Sequence, residues 1–291
     1  DYSQWLGLLP WVVGFGLLIY CGTQAVDIIN KFLVLGLVLA YVFLLIKLAP
    51  HSHWQAANLP MHPSYILAAL PILLTSYGYH IIIPSVSQHL NHDVKKLRMV
   101  VVLGGLIALI VYLFWVYLIF NVLPAAGSHG LVAILNSGQP GSGITDALLA
   151  VTGNNAVASF AALFAFFALS SSFIGVALGL FHLLADGLDI QSSAIGKVCT
   201  ALLTFLPPVI FAVYYPNGFI VALGYAGVIV ALIHGILPAM MVWSGRYRKK
   251  LSHDSDYRVW GGKPLMVVVI VVSCLVIFSE VAGYLHWLPL L

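Results

Sequence analysis

Long apolar stretches alternate with short polar connections along this chain. A helix needs about 20 mostly apolar residues to cross the hydrocarbon core of a bilayer, and most of these stretches are that long. The pattern predicts an all-α integral membrane protein with a single transmembrane domain over residues 1–291. We place its eight spans at about 8–26, 29–49, 64–87, 99–123, 154–185, 198–214, 218–243 and 264–288.

The short 198–214 segment is assigned as a span partly from charge. When all eight spans cross, eleven of the twelve Lys and Arg residues fall in loops on one side of the membrane, and only Lys47 lies opposite. Cytoplasmic loops carry the excess of Lys and Arg, so we expect that side to be the cytoplasm. Residue 1 and the C-terminus are then on the outer side. The net charge of +3 needs no nucleic acid to explain it.

Composition supports the membrane assignment and raises a question about the first residue. The chain is 62% hydrophobic and 7% charged, whereas about a quarter of a soluble domain is charged. It opens at Asp1 without an initiator Met or a cleavable signal sequence. An odd number of further spans before Asp1 would restore a cytoplasmic N-terminus. We therefore expect this chain to be the C-terminal portion of a longer transporter.

The span over 64–87 has the composition of a membrane helix that is broken at mid-depth. Gly78 permits backbone angles closed to other residues, while Thr75 and Ser76 can hydrogen-bond nearby backbone. Lipid supplies no hydrogen bonds, so unwound backbone at this depth lies against protein or a polar cavity, where its carbonyls can accept an ammonium group. A glycine kink relieved by a neighbouring helix is the alternative interpretation.

Several runs of residues carry a resemblance to one family, and they occur in that family's order and orientation. They are 76–80 with Pro84 and Ser85 behind it, 172–181, 215–219 leading to 222–227, and 257–264. With these runs the chain resembles, over essentially all of its length, the bacterial aromatic amino acid permeases, which are tyrosine- and tryptophan-specific carriers. The resemblance implies a LeuT-like inverted-repeat transporter of eleven spans, in which this chain lacks the first three transmembrane helices.

The resemblance also implies the activity. A secondary active transporter of the bacterial inner membrane would import an aromatic L-amino acid by proton symport with alternating access. Tyrosine is the favoured substrate, and a tryptophan-specific or broad aromatic carrier is the alternative. The implied partners are the amino acid, protons and the lipid bilayer, with no cofactor and no metal. Two positions depart from the family: Ile81 replaces a Gly, and His182 replaces an acidic residue.

Candidate substrate-binding residues fall on three of the predicted spans. By resemblance, Tyr79 faces the pocket and stacks on the aromatic ring of the substrate. Phe164 and Phe167 are three residues apart, so they share a helix face and can wall the same pocket. The full set is Thr75, Ser76, Gly78, Tyr79, His80, Phe164, Phe167, Ser171, Ser172 and Tyr225.

Proton coupling is assigned to His80, because histidine titrates near physiological pH and this one lies next to the break. A neutral histidine that holds a backbone carbonyl is the alternative, and His234 is a second proton candidate. In related sodium-coupled carriers a hydroxyl pair like Ser171 and Ser172 helps to hold sodium. The sequence offers no carboxylates that would complete such a site here.

A membrane-embedded enzyme and a channel are the rival functions. An intramembrane hydrolase needs a nucleophile with a base, and the chain offers only serines near the motif histidine. A channel needs polar or charged rings along several helices, which the spans lack. The loop histidines do not predict a metal site, because His51, His53 and His62 fall on the opposite side from His89 and His92.

Overall fold

The computed structural model describes residues 11–18, 22–52, 63–137, 140–190, 193–215, 218–249 and 259–288. Regular secondary structure in these ranges is helical throughout, with no strand. The helices are α1 (11–18), α2 (Thr23–Leu48), α3 (Pro63–Ser76), α4 (Ile83–His89), α5 (Val94–Val122), α6 (Leu131–Asn136), α7 (Pro140–Thr152), α8 (Asn155–Gly187), α9 (Ala194–Tyr214), α10 (Phe219–Arg248) and α11 (Gly262–Tyr284).

Six of these helices are long and apolar enough to cross a membrane: α2, α5, α8, α9, α10 and α11. They contain between 21 and 33 residues, and a span needs about 20. The chain is therefore a multi-pass membrane protein, and the prediction of an all-α integral membrane protein is confirmed. The two short helices α6 and α7 lie in the connection between α5 and α8.

Some helix ends differ from the predicted span boundaries, and local backbone chemistry explains the differences. The predicted boundary between the first two spans lies at 26–29, but α2 already begins at Thr23 because Gly22, with φ of +102°, allows the chain to turn there. Helix α9 begins at Ala194 and not at 198. The Ser193 hydroxyl accepts a hydrogen bond from the Gly196 backbone N–H at 3.1 Å and so caps the helix.

A carboxylate cap likewise extends the N-terminus of α5 beyond the predicted 99–123 span. Asp93 accepts hydrogen bonds from the backbone N–H groups of Lys95 and Lys96, at 3.0 and 3.2 Å. The Lys96 N–H is the main cause of a lowered pKa for Asp93, because it stabilises the ionised form. Asp93 therefore stays ionised at neutral pH and holds the first turn of α5 at this end of the span.

Contacts between residues divide the chain into two compact units, each built from separated stretches. Unit 1 comprises Asp1–Leu59 and Trp115–Asn217, and unit 2 comprises Pro60–Phe114 and Gly218–Leu291. In unit 1, α2 packs along α8, and α7 and α9 also contact α8. Leu44, Leu48 and Leu148 are fully buried in the core that results.

Small residues bring the helices of unit 2 together at backbone distance. Helix α3 packs against α10 and α11. A Cβ atom placed on Gly227 of α10 would lie 2.6 Å from the Pro71 carbonyl oxygen of α3. Gly235 faces the Ser273 hydroxyl of α11 in the same way. Small residues are enriched where membrane helices pack closely, and here they place α3 and α11 directly against α10.

The Gly227 contact yields a stability prediction. A Cβ at this position meets backbone atoms of Pro71, which cannot rotate away, so Gly227→Ala should overpack the α3–α10 interface and cost about 1–3 kcal/mol. The matched control is Gly175→Ala in α8, where nothing lies within 4 Å of the added atom. Thermal unfolding in detergent should show a lower Tm for Gly227→Ala than for Gly175→Ala. Equal Tm values for the two variants would contradict the close contact.

Candidate functional site

The site is built around the interruption between α3 and α4. Helix α3 ends at Ser76, Tyr77 leaves helical geometry with φ −101° and ψ 31°, and a 3₁₀ turn over Gly78–Ile82 leads into α4. Helix α3 has 14 residues. At 1.5 Å per residue it rises about 21 Å, less than the hydrocarbon thickness of about 30 Å. The interruption falls beside Gly78.

Side-chain hydroxyls of α3 bind carbonyls of the same helix just before the break. The Thr75 hydroxyl donates to the Ile72 carbonyl at 2.8 Å and lies 3.3 Å from the Pro71 carbonyl. The Ser76 hydroxyl donates to the Ile72 carbonyl at 2.9 Å. Both contacts match the predicted bonding to nearby backbone. Such back-bonding loosens the last helical turn and favours termination here.

Tyr112 of α5 supplies a contact that the sequence did not predict. Its hydroxyl donates to the Ser76 backbone carbonyl at 3.0 Å, and its ring meets Tyr77 edge-on with the centroids 5.6 Å apart. The end of α3 frees the Ser76 carbonyl, and Tyr112 satisfies it. Tyrosine is unremarkable in an apolar helix, and only the packing of α5 beside the break gives this one a partner.

A cavity of about 270 Å³ opens between the broken span and α5. Its volume is close to the lower end of the range of about 300–1,000 Å³ typical of small-ligand sites. Most of its wall is aliphatic, and its polar groups come from the break and from two tyrosines. It is lined by Ser76, Tyr79, Ile83, Val86, Leu97, Val100, Val101, Gly104, Ala108 and Tyr112. An apolar cleft with a polar end suits a ligand that has an apolar body and a polar head.

Tyr79 is placed at this cavity by the 3₁₀ turn. Its side chain is 39% exposed, and its hydroxyl approaches α5 at Gly105, where an added Cβ would lie 3.2 Å away. The absence of a side chain at Gly105 thus leaves space for the phenol. Tyr79 therefore lines the cavity next to the C-terminal end of α3.

His80 points from the 3₁₀ turn towards α10. Its ring centroid lies 3.7 Å from that of His234, with the ring planes inclined by 44°. His234 lies in a π-helical turn over Ala231–Ile236 of α10, and π turns are frequent at functional sites. Two unit charges about 4 Å apart repel by about 4 kcal/mol at an effective dielectric constant of 20, so double protonation of the two rings is disfavoured.

Glu280 of α11 also faces α10. Its carboxylate lies against Gly224, where an added Cβ would collide with it. Tyr225 is the next residue along α10, and its side chain is 52% exposed. Gly224 and Gly227 both point into helix contacts, and at 100° per residue Tyr225 points away from both. The predicted role of Tyr225 in substrate binding stays a prediction.

Phe164 and Phe167 lie in unit 1 and both contact α2. Phe164 packs against Tyr41 and Trp115, with ring centroids 5.5 and 5.4 Å apart. The Phe167 ring lies over Gly36, and a Cβ there would be 2.6 Å from the tip of the ring. The two rings therefore share a face, as their spacing predicts. Their predicted role as a wall of the substrate pocket stays a prediction.

The three serines of α8 have three different environments, as expected for consecutive helical positions. Ser170 is fully buried and donates to the Phe166 carbonyl at 2.6 Å. Ser171 donates to the Asn30 side-chain oxygen of α2 at 2.8 Å, and Ser172 is exposed. Asn30 is a partner that the sequence analysis missed, although an amide near the start of a long apolar helix was a visible signal.

The described part of the chain contains no group of three or more His, Cys, Asp or Glu side chains that could hold a metal ion. In the same part of the chain, ion pairs join Lys31 to Asp27 and Lys96 to Asp93, near the starts of α2 and α5. The Lys31–Asp27 pair has i,i+4 spacing and an N···O distance of 2.7 Å.

Comparison with known proteins gives the family. The model of the tryptophan/tyrosine permease family matches residues 3–280. The chain is 35% identical to the tyrosine-specific transport system 1 of Haemophilus influenzae, over 98% of this chain and 71% of that protein. It is 33% identical to the tryptophan-specific transport protein of Pseudomonas aeruginosa, over 97% and 67%.

A third relative, the low affinity tryptophan permease of Escherichia coli, is 36% identical over 77% of this chain and 53% of that protein. No solved structure matches the chain. The family and these relatives make the protein a transporter and not an enzyme. With nearly all of its length matched, the chain belongs to the tryptophan/tyrosine permease family.

Proposed function

We propose that this protein imports an aromatic amino acid across the bacterial inner membrane by proton symport with alternating access. The observation that carries the proposal is the broken span of a permease-family chain, which ends at the Ser76 carbonyl beside a cavity of about 270 Å³. A substrate ammonium group binds at carbonyls freed by the break, and its ring lies along the apolar wall next to Tyr79.

Tyrosine is the proposed substrate. The match to a tyrosine-specific transport protein covers 98% of this chain at 35% identity. Tryptophan is the second candidate, because tryptophan-specific transport proteins match at 33% and 36% identity. A stacked or edge-to-face ring contact with Tyr79 adds about 0.5–1.5 kcal/mol, which separates aromatic from aliphatic substrates by roughly tenfold or less.

The remaining candidate residues keep the roles given by the resemblance. Thr75, Ser76 and Gly78 shape the break, while Phe164, Phe167, Ser171 and Ser172 contribute from α8. Tyr225 lines the outer route, and His80 takes up the coupled proton. The proposed topology places the Lys- and Arg-rich loops in the cytoplasm and residue 1 and the C-terminus outside. A LeuT-like inverted repeat is the proposed architecture, and the broken span supports it.

Transport by proteoliposomes tests this function directly. Vesicles that contain the complete transporter and are preloaded with tyrosine should exchange it for labelled external tyrosine, and the label should emerge chemically unchanged. An inward proton gradient should drive accumulation, because the proposed symport binds proton and substrate together. Tyrosine and tryptophan should compete with the label much better than leucine does.

Two outcomes would contradict this proposal. Chemical conversion of the labelled amino acid would show that the protein is an enzyme and not a carrier. If leucine blocked exchange as well as tyrosine does, the site would not be selective for aromatic side chains. If tryptophan competed better than unlabelled tyrosine, tryptophan would be the favoured substrate. If accumulation did not depend on the proton gradient, the protein would be a carrier without proton coupling.

Tyr112→Phe tests the assignment of the Ser76 carbonyl to the ammonium group. The variant keeps the ring contact with Tyr77 but removes the hydrogen bond to that carbonyl. A net hydrogen bond contributes about 0.5–1.5 kcal/mol, so freeing the carbonyl for the substrate should lower the KM for transport by roughly two- to tenfold.

The control is Tyr214→Phe, a change at a 74% exposed side chain at the end of α9. It should leave the KM unchanged. A KM in Tyr112→Phe that equals the value of the unsubstituted transporter, in protein of unchanged solubility and yield, would show that the Ser76 carbonyl does not receive the substrate.

A further inference from the structure

We infer that His80 and His234 together form a single proton-binding site, in which the two imidazoles share one proton in each transport cycle. This inference rests on the proposed proton symport and deepens it, because it adds a second residue on a different helix. The rings are in direct contact, with their centroids 3.7 Å apart. One belongs to the broken span and the other to the π turn of α10.

Hydrogen bonding identifies the nitrogen of His80 that accepts the proton. Nε2 is buried and has no hydrogen-bond partner among the described residues, which leaves it open to bind a proton. When Nδ1–H donates to a backbone carbonyl, the neutral ring carries its free lone pair on Nε2. A buried lone pair without a partner is a ready acceptor for one proton.

In the proposed site His234 connects the pair to the proton source. Its side chain is exposed on the surface of the described structure, whereas Nε2 of His80 is buried. A proton from hydronium in the outer water binds the pair and leaves a water molecule behind. On the inner side the pair returns the proton to water. Contact between the rings prevents both from being charged at once, so the site takes up one proton and not two.

Other ionisable groups near the pair are few. Away from the helix ends, the other titratable side chains on the broken span, α5, α10 and α11 are Tyr77, Tyr79, Tyr112, Tyr117, Tyr225, Cys274 and Glu280. The only carboxylate among them, Glu280, contacts Gly224, which is ten residues before His234 and so about 15 Å away along α10. In the part of the chain that the structure describes, no acid stands beside the imidazoles to take the proton from them.

Packing around His234 connects protonation to conformation. Gly235, the next residue of the π turn, lies directly against the Ser273 hydroxyl of α11. A charge on the pair therefore arises at the point where the broken span, the π turn and α11 meet. Protonation changes the interaction between the 3₁₀ turn and α10. Because the backbone is irregular in both the 3₁₀ turn and the π turn, these two segments move more easily than regular helix does.

The test measures proton entry and substrate exchange separately in proteoliposomes that contain the complete transporter. The variants are His80→Gln, His234→Gln, His234→Phe and the double variant His80→Gln/His234→Gln. The control is His182→Gln, which alters a histidine of α8 in unit 1. An internal pH dye reports protons that enter with tyrosine, and labelled tyrosine exchange at equal pH on both sides reports substrate binding and turnover.

We expect every variant of the pair to lose tyrosine-driven proton entry. The two His234 variants should retain exchange, and His182→Gln should retain both activities. The double variant should be no worse than either single variant, because residues that act as one unit are not additive. His234→Phe keeps a flat ring against His80 but has no nitrogen. It should therefore lose proton entry as His234→Gln does, whereas a purely structural role for His234 would be rescued by phenylalanine.

Proton entry that persists in His234→Gln or His234→Phe would overturn the pair and would leave the proposed symport intact. Loss of exchange in both His234 variants would also overturn it, because His234 would then be needed for structure or substrate binding. Failure of the proposed function has a different signature: the unsubstituted transporter itself would exchange tyrosine without moving protons, or would not exchange tyrosine at all.

Discussion

Hydrocarbon offers no partner to a backbone N–H or carbonyl group, and every irregular segment of this chain has to satisfy that requirement from within the protein. Where α3 ends at Ser76, the freed carbonyl accepts a hydrogen bond from Tyr112, and the side chains of Thr75 and Ser76 bond to carbonyls one turn earlier. The same constraint makes a break useful, because a carbonyl that changes partners can accept a substrate in place of a protein hydroxyl.

Glycines and a π turn in α10 determine which residues the broken span contacts. Gly227 brings α10 against the backbone of Pro71, and Gly235 brings it against Ser273. The π turn over Ala231–Ile236, which contains Gly235, places His234 against the imidazole of His80. Close packing of small residues and irregular backbone thus place a titratable pair next to the cavity of the break. A proton and a substrate can then act on the same short segment.

Much of this arrangement is encoded locally and could be predicted from the sequence. Proline, glycine and hydroxyl residues around Gly78 predict the break, and the lengths of the apolar stretches predict the spans. The early starts of α2 and α9 follow from Gly22 and from the Ser193 cap, both of which are local signals. The shared face of Phe164 and Phe167 follows from helical periodicity.

Contacts between residues that are far apart in the sequence could not be predicted from local patterns. Tyr112 reaches Ser76 across 36 residues, and Ser171 reaches Asn30 across 141. Periodicity indicates which residues share a helix face but not which neighbour that face meets. His234 was recognised as an ionisable group in a span, yet its contact with His80 depends on the glycine-mediated packing of α10, which is a tertiary feature.

Cysteine protection tests most directly whether the substrate binds at the break after α3. Ser76→Cys is made in a complete transporter whose native cysteines are serine, and its reaction with a small thiol reagent is timed with and without tyrosine. Ser128→Cys, in the loop before α6, serves as the control. Tyrosine, but not leucine, should slow labelling at position 76 and leave position 128 unaffected. An unchanged labelling rate at position 76 with saturating tyrosine, in a variant that still transports it, would contradict the account.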